Sequence, residues 1–531
     1  MFPLSSTSLQ VNWAELARLQ FEVEQELEYQ ARIVKGRDYY EGQFPDALHA
    51  ELEKSIVGED LDDSFTALNV NRAIVKSVAN RLTVSGIQVK GNEETALAVD
   101  GWFEGNGFQA EQDTLHTYAI RDGEAFVIIE PVEDETADSA IDILWHVHER
   151  YTDPSVDGNG EGCRAHYDGK KLVFVSKRWT ETIYDNEGSP ETRMRMTLYF
   201  ADRIEKFAFS EAGVWEPFQD EGDPGSPITW TAEGQPIGIA VIHFKLRELR
   251  PYAKDAWGMQ VASDHNLAAL FASGQMSGFP MLWSGGAWPT TDGNIPAEDG
   301  SNVWKIGPRS IIGNNNAETK VGRVEPGDLS QLLNLQNQIL LQTAAVTGTP
   351  QLAAMILRAN VSGETLKQFD VSQLAEVRRL IEDFTPGYIA LVTRSIKIHN
   401  AFASSQLSIE AAEGVTVAVS PIWESPEVRD RTERTAEAQA KGKAGVPWEQ
   451  LLSEWGYGPD EIIEMRKERA REIVLNLLAQ AAAAGDQAAG TALSAVFAAW
   501  QESDEAAEVA AWAGAITAVG QMGGNGQNGQ A

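Results

Sequence analysis

Leu374, Val377, Ile381, Phe384, Tyr388 and Leu391 follow one another at intervals of three and four residues. Only an α-helix turns all six to one side, because its period is close to 3.6 residues. The spacing therefore predicts one long helix after Ser362, with a single apolar seam that the rest of the chain must cover. Pro386-Gly387 falls inside this helix. A proline there removes one backbone hydrogen bond and crowds the turn before it, so a kink is expected near Glu382.

The surrounding sequence supplies both helices and strands. Helical spacing marks a first segment from Val11 to about Gly36, closed by the turn Tyr39-Tyr40-Glu41-Gly42. A second helix is expected over Asn71–Leu82, with Gly86 as the stop beyond it, and a third over Glu111–Ile120. The period then changes. Ala125–Ile129 has the look of a buried strand, and Ile141–His148 and Arg193–Phe200 alternate apolar and polar residues. With Leu172–Trp179 and Ile237–Phe244 they predict an antiparallel meander, the turns falling at clusters such as Asp185-Asn186-Glu187-Gly188. Helix returns from about Tyr252 to Gln275.

An irregular stretch rich in Gly, Pro, Asn and Trp runs from Gly278 to Gly327, with short strands expected at Trp304–Ile306 and Val321–Val324. So long a connection between helices usually marks a functional projection. Asp328 and Gln331 form a capping box for a further helix, along which Leu332, Leu335, Ile339 and Val346 are spaced in heptad fashion. After the long helix come an expected strand pair, Leu407–Ile409 with Val415–Val419, and a helix capped by Ser425-Pro426-Glu427. A charged helix follows from Pro459 to Arg471, then an Ala-rich helical region from Leu478 and a Gly/Asn/Gln tail expected to lack fixed structure. The fold class is α+β.

Composition narrows the function. The 531 residues carry a net charge of −35 and are 43% hydrophobic, as a folded chain should be. A protein that binds nucleic acid by neutralising phosphates needs Lys and Arg in excess, and this chain has the opposite balance. One cysteine, Cys163, excludes an intramolecular disulfide framework and fits a reducing compartment. The first ten residues lack the basic and apolar regions of a secretory signal. No apolar run approaches the ~18 residues that span a bilayer. A soluble intracellular protein without a membrane partner is expected.

Catalytic signatures are missing. No G-x-S-x-G, H-E-x-x-H or P-loop pattern occurs. Gly524–Gly529 spells G-x-G-x-x-G, but it follows no strand and opens no helix. His146, His148, Cys163 and His166 offer four nitrogen and sulfur ligands of the kind tetrahedral zinc takes, yet their intervals match no common zinc module. The acidic run Glu130, Glu133, Asp134, Glu135, Asp138 and Asp142 has no base among it and is expected to be a solvated loop. An acidic, Trp-rich carbohydrate-acting enzyme would need two carboxylates held across a sugar, and no pair stands out. No enzyme activity and no cofactor are expected.

Several stretches, taken in order, resemble the portal proteins of tailed bacteriophages of the siphophage type. Tyr39-Tyr40-Glu41-Gly42 is similar to the family's early Tyr-Tyr-x-Gly turn. Asn71–Gly86 resembles its helix ending in Asn-Arg-Leu-x-x-x-Gly, and Arg121–Phe126 its Gly-x-Ala/Ser-Phe strand opening. Pro236–Phe244 resembles the strand before the stem, although Lys245-Leu246-Arg247 stands where the family often has a polar Asn. Gly348-Thr349-Pro350 and Ser362–Leu366 resemble elements around the family's tunnel loop.

The resemblance implies a ring, usually of twelve subunits, at one capsid vertex, with double-stranded DNA passing through its axis without sequence specificity. It implies an N-terminal helical arm over 1–29, a wing over 30–251 and 363–425, and stem helices over 252–278 and 328–347. It places a clip over 279–327, a tunnel loop over 348–362, a helical crown over 426–510 and a tail over 511–531. Arg358 and Asn360 would face the DNA. Trp283, Trp288 and Trp304 would dock the terminase large subunit and a head-completion or adaptor protein. Major capsid and scaffolding proteins would be further partners, with assembly in the host cytoplasm and a final place in the virion. Another ring-forming head–tail adaptor is the nearest alternative, but those chains are usually much shorter.

Overall fold

The computed structural model describes residues 13–43, 68–89, 93–133, 141–184, 190–209, 215–218, 226–278, 282–285, 320–323, 329–349, 363–404, 406–407, 419–426 and 438–454, with isolated positions up to 469. They fall into two compact units, 1–428 and 429–531.

Helix α1 (Trp13–Glu41) runs further than expected and takes in Tyr39 and Tyr40. Gly42, at φ 82°, ends it in a left-handed turn that other residues avoid. Helix α2 (Val70–Ala79) is capped by Asn69, whose side-chain oxygen accepts the Arg72 N–H at 3.0 Å. Gly86 does not stop the chain there. It lies inside strand β1 (Val84–Val89), at an irregularity in the register. Helix α3 (Glu93–Gly105) was not expected, while α4 (Phe108–Asp122) covers the anticipated third helix. Gly123 closes α4 at φ 94°, and a Cβ there would sit 2.6 Å from the Arg250 backbone nitrogen. Any larger residue would push the Leu249–Arg250 backbone away.

The expected antiparallel meander is present, divided between two sheets. Strands β2 (Glu124–Glu133) and β3 (Ile141–His148) pair as neighbours. Strands β4 (Gly162–Asp168), β5 (Lys171–Tyr184), β6 (Pro190–Tyr199), β7 (Arg203–Phe209), β8 (Trp215–Pro217) and β9 (Ile228–Thr229) form a six-stranded sheet. After the small hairpin β10 (Thr231–Ala232) and β11 (Gln235–Pro236), β12 (Val241–Lys245) returns to β2, giving the order β12-β2-β3. One face of this sheet, with Val127, Ile129, Ile143, Trp145, Ile242 and Phe244, belongs to the main core. The other, with Phe126, Ile128 and Val241, packs on Cys163 and Val175 of the larger sheet.

Helices α5 (Trp257–Gly278) and α6 (Leu329–Thr347) make a hairpin. Between them the described residues include one antiparallel strand pair, β13 (Leu282–Gly285) with β14 (Lys320–Arg323). Then comes α7 (Gly363–Phe402), 40 residues long and unbroken at Pro386. Of its expected seam Val377, Phe384, Tyr388 and Leu391 are each 0% exposed, while Leu374 and Ile381 are half-buried. Tyr388 lies edge-on to Phe108, Phe244 and Trp423, and its hydroxyl meets His116 Nε2 at 3.0 Å.

Strand β15 (Val419–Trp423) pairs with β1. Of the expected pair Leu407–Ile409 with Val415–Val419, only Leu407 and Val419 are among the described residues. Leu407 is held outside any strand by Asn400, which bonds both its N–H and its carbonyl. Residues 408–418 lie outside the described residues, as do Asp328 of the capping box, the tail and most of the region after 454. In the second unit residues 438–443 are helical, α8 (Trp448–Glu454) follows, and the Arg469 guanidinium lies 4.7 Å from the Trp448 ring centre.

Candidate functional site: the helical hairpin and its junction with the long helix

The base of the hairpin is set by aromatic stacking on α1. Trp257, the first residue of α5, lies parallel to Tyr39 at 5.5 Å, and the Lys35 ammonium sits over both rings. Further along, the contact between α5 and α6 is polar. Gln336 donates to Ser263 Oγ at 2.7 Å, and Asn266 donates to Gln336 Oε1 and to the Leu332 carbonyl, each at 2.9 Å. All three side chains are buried. Every such bond must be made, since an unpaired buried amide costs about 1–3 kcal/mol, and the network therefore fixes the register of the two helices.

This arrangement alters the expected heptad seam on α6. Of its four members only Ile339 is buried, while Leu335 and Val346 are 46% and 57% exposed. The buried positions are Gln336, Ile339, Thr343 and Ala344. Leu333 on α6 and Phe271 on α5 are exposed as well. The hairpin thus satisfies its polar groups internally and leaves large apolar side chains outside.

Gly348, at φ 64°, ends α6, and Thr349 N–H returns to the Ala344 carbonyl at 3.0 Å. A cleft of about 330 Å³ lies where this end meets α7 and the turn after β12. Its arginines are each held by carboxylates. Arg247 donates to Asp383 at 2.6 Å and to Glu382 at 2.7 Å, Arg250 to Asp255 at 3.0 Å, and Arg379 pairs with Glu376 at 2.8 Å. The hydrogen bonds to these acids raise the Arg247 and Arg250 guanidinium pKa values. Positive charge at the junction is therefore locally neutralised.

Arg358 and Asn360, the residues expected to face DNA, lie outside the described residues, as do Trp288 and Trp304. Trp283 falls in β13, opposite Gly322. Pro386 and Gly387 both lie on α7. Pro386 is exposed, whereas Gly387 is buried where the Phe244 ring approaches the helix backbone.

The histidines and the cysteine do not assemble into a metal site: among the described residues no group of three or more His, Cys, Asp or Glu is placed to hold an ion. His146 pairs with Glu130 of the acidic run at 3.2 Å. His166 stacks on Phe174 and shares a hydrogen bond with Ser176 Oγ at 3.0 Å. Cys163 is buried among apolar side chains, and that burial pushes its thiol up to about 12, away from the thiolate a metal requires.

A buried ionic cluster was not legible in the sequence. Asp122, 0% exposed, receives Arg37 at 2.7 Å and Arg121 at 2.7 Å. Arg121 continues to Glu149, and Arg150 links Glu26 to Glu124, which also holds His243 at 2.6 Å. Burial raises the Asp122 carboxyl pKa, but the two guanidiniums outweigh it and hold the group below the usual carboxylate range. These charges fasten α1 to the β-sheets. Arg121-Asp122-Gly123-Glu124 gave no sign of it, since three charged residues at the end of a helix ordinarily face water.

No protein-family model matches the chain. It is 21% identical over 425 residues to a protein named portal protein from Mycobacterium phage D29, covering 76% of this chain and 79% of that one. Among solved structures it is similar to a chain in the neck of an empty gene transfer agent particle, at 11% identity and a TM-score of 0.31. A chain of the native gene transfer agent virion is also similar, at 11% identity and a TM-score of 0.27. Each match covers 76% of this chain and 90% of the other.

Proposed function

We propose that the chain is a portal protein, the subunit of a ring at one capsid vertex through which the phage genome enters and leaves. The observation that carries this is the similarity to a phage portal protein over most of both chains. The hairpin supports it. Leu333, Leu335, Val346 and Phe271 are uncovered in a single chain, and side-by-side packing of α5 and α6 with neighbouring copies would cover them. Twelve copies are the expected number.

The electrostatics suit a conduit better than a binding protein. Duplex DNA carries one charge per ~1.7 Å, so a basic wall would hold each passing phosphate. A chain with net charge −35, whose junction arginines are paired with acids, gives little such friction. Contact with DNA would fall to a few groups at the narrowest point, Arg358 and Asn360 in the loop joining α6 to α7. They would meet the backbone and not the bases, since any sequence must pass. The projecting segment 279–327, with Trp283, Trp288 and Trp304, would dock the packaging terminase and the head-completion protein. The subunit has a structural role and performs no chemistry itself.

Native mass spectrometry of the purified chain tests this reading. A closed ring near twelve copies is expected. A monomer persisting across the whole accessible concentration range overturns it.

A further inference from the structure

The β12-β2-β3 sheet ends on β12, with no further described strand beyond it. The Ile129 N–H bonds to the Ala240 carbonyl at 2.8 Å, and the Leu246 N–H to the Gly123 carbonyl at 2.9 Å. With Ile242 opposite Val127 and Phe244 opposite Ala125, the even-numbered residues turn their backbone groups toward β2. Antiparallel ladders alternate, so the N–H and C=O groups of Val241, His243 and Lys245 point the other way. Among the described residues no backbone partner takes them up.

They border a groove of about 760 Å³, with Lys245 exposed, His243 half-buried and Val241 buried at its inner end. Pro386, Ala390 and Arg394 of α7 form one wall, and Tyr167 and Leu172 of the larger sheet form the other. The groove therefore continues the sandwich of α7, sheet and second sheet past its last strand. An added strand would lie ~4.8 Å from β12, between the same two layers. An uncovered edge of this kind is a template for pairing.

Two cations stand at the groove without a carboxylate partner among the described residues. Arg394 donates to the Ile237 carbonyl at 2.8 Å, and burial lowers its pKa. The Lys245 ammonium lies 4.6 Å from the Tyr167 ring centre and 3.3 Å from its hydroxyl. Arg247 on the same rim differs, being held by Glu382 and Asp383. In a chain with 78 acidic and 43 basic side chains, two cations left without acids at one groove suit an acidic occupant. Every described strand of this chain already has a partner, so among the described residues no strand of a second copy is free to fill the slot.

We propose that β12 accepts an extended acidic segment of another protein as a fourth strand, bonded to the outward backbone groups of Val241, His243 and Lys245. Its apolar residues enter between α7 and the larger sheet, and its carboxylates meet Lys245 and Arg394. The open edge and its two cations belong to the single chain, whether or not that chain forms a ring.

The test titrates the full chain with a labelled six-residue peptide of alternating Glu and Val, and with its Lys/Val counterpart. The acidic peptide is expected to bind and the basic one not. Lys245→Pro deletes one outward N–H and one cation but no bond to β2, and should weaken binding at least tenfold. Ala390→Trp, at an exposed helix position, fills the groove and should abolish it. The amides of Val241, His243 and Lys245 should exchange more slowly once peptide is added. Should Lys245→Pro fail to fold, Lys245→Glu is read by the same tenfold criterion. Failure of the acidic peptide to bind, equal binding of both peptides, or indifference to the substitutions overturns the proposal. So does slow exchange of the three amides before any peptide is added, which would mean that this chain or a second copy already fills the slot.

Discussion

The Phe244 ring lies so close to Gly387 that a Cβ on the glycine would sit 2.6 Å from Cε1 of the phenylalanine. Phe244 cannot retreat, because Phe384 and Tyr388 flank it and it is 1% exposed. The pair sets how closely β12 approaches α7. Gly387→Ala would gain about 1 kcal/mol of helix propensity. Overpacking costs about 1–3 kcal/mol, and with a contact this short the cost should win. Chemical denaturation should show a net loss on the order of 1 kcal/mol, and Phe244→Leu should restore part of it.

Asp122 joins the Arg37 and Arg121 guanidiniums, so its removal leaves the two cations sharing Glu149 alone. Asp122→Asn should destabilise the first unit by roughly 1–3 kcal/mol. The folded-state pKa of Asp122 is depressed, so its stabilisation is present above the ordinary carboxylate value and is lost as pH falls through the lower folded value. The variant should therefore lose less stability than the parent as pH falls below about 4, the ordinary carboxylate value, measured as the denaturation midpoint at each pH.

His116 titrates in a different window. Burial pushes it down to about 4 from an ordinary 6.5, and it sits stacked on Phe384 with its Nε2 against the Tyr388 hydroxyl. The unfolded chain takes up this proton at higher pH than the folded one. Stability should fall as pH drops from about 6.5 toward 4, and His116→Gln should flatten that slope. Identical slopes in parent and variant would remove His116 from the account.

Cys163 offers a simple check on the packing of the two sheets. Its thiol is 0% exposed and its pKa is raised. A thiol reagent should find no reactive group in the native chain at neutral pH and one equivalent after denaturation. Reaction in the native state would mean that the two sheets separate there.

Arg358→Glu tests the proposed loop directly. Rings of normal mass are expected, together with impaired DNA packaging or retention in particles. Normal packaging would remove the loop assignment and leave the portal reading standing.

The sequence was most readable where one period held over many residues. The α7 seam and the strand at Ile141–His148 were both legible for that reason. Helix α3 was missed although Val99, Trp102 and Phe103 are buried at helical spacing, because Asp100 and Gly101 interrupt the pattern with poor helix formers. Gly86 misled because a glycine in a strand has the same look as a stop, and only the open space around it shows that the strand tolerates it. The pairing of Val419–Trp423 with β1 was not legible, because reading along a sequence pairs neighbouring segments, whereas this strand reaches back to the start of the chain's first sheet. At the candidate site the two helices of the hairpin were visible. Their polar interface was not, since Gln336, Ser263 and Asn266 ordinarily signal a solvated face.

The pairing of β1 with β15 also sets an order of events during synthesis. Ser85 bonds the Ile422 carbonyl across 337 residues. At ~5–20 residues per second, β1 leaves the ribosome about 17–70 seconds before the strand that completes it. The hairpin and everything threaded onto it are made in that interval, while the frame that anchors them still lacks its closing strand. The frame is therefore closed only once translation has passed Trp423, with 108 of the 531 residues still to be made.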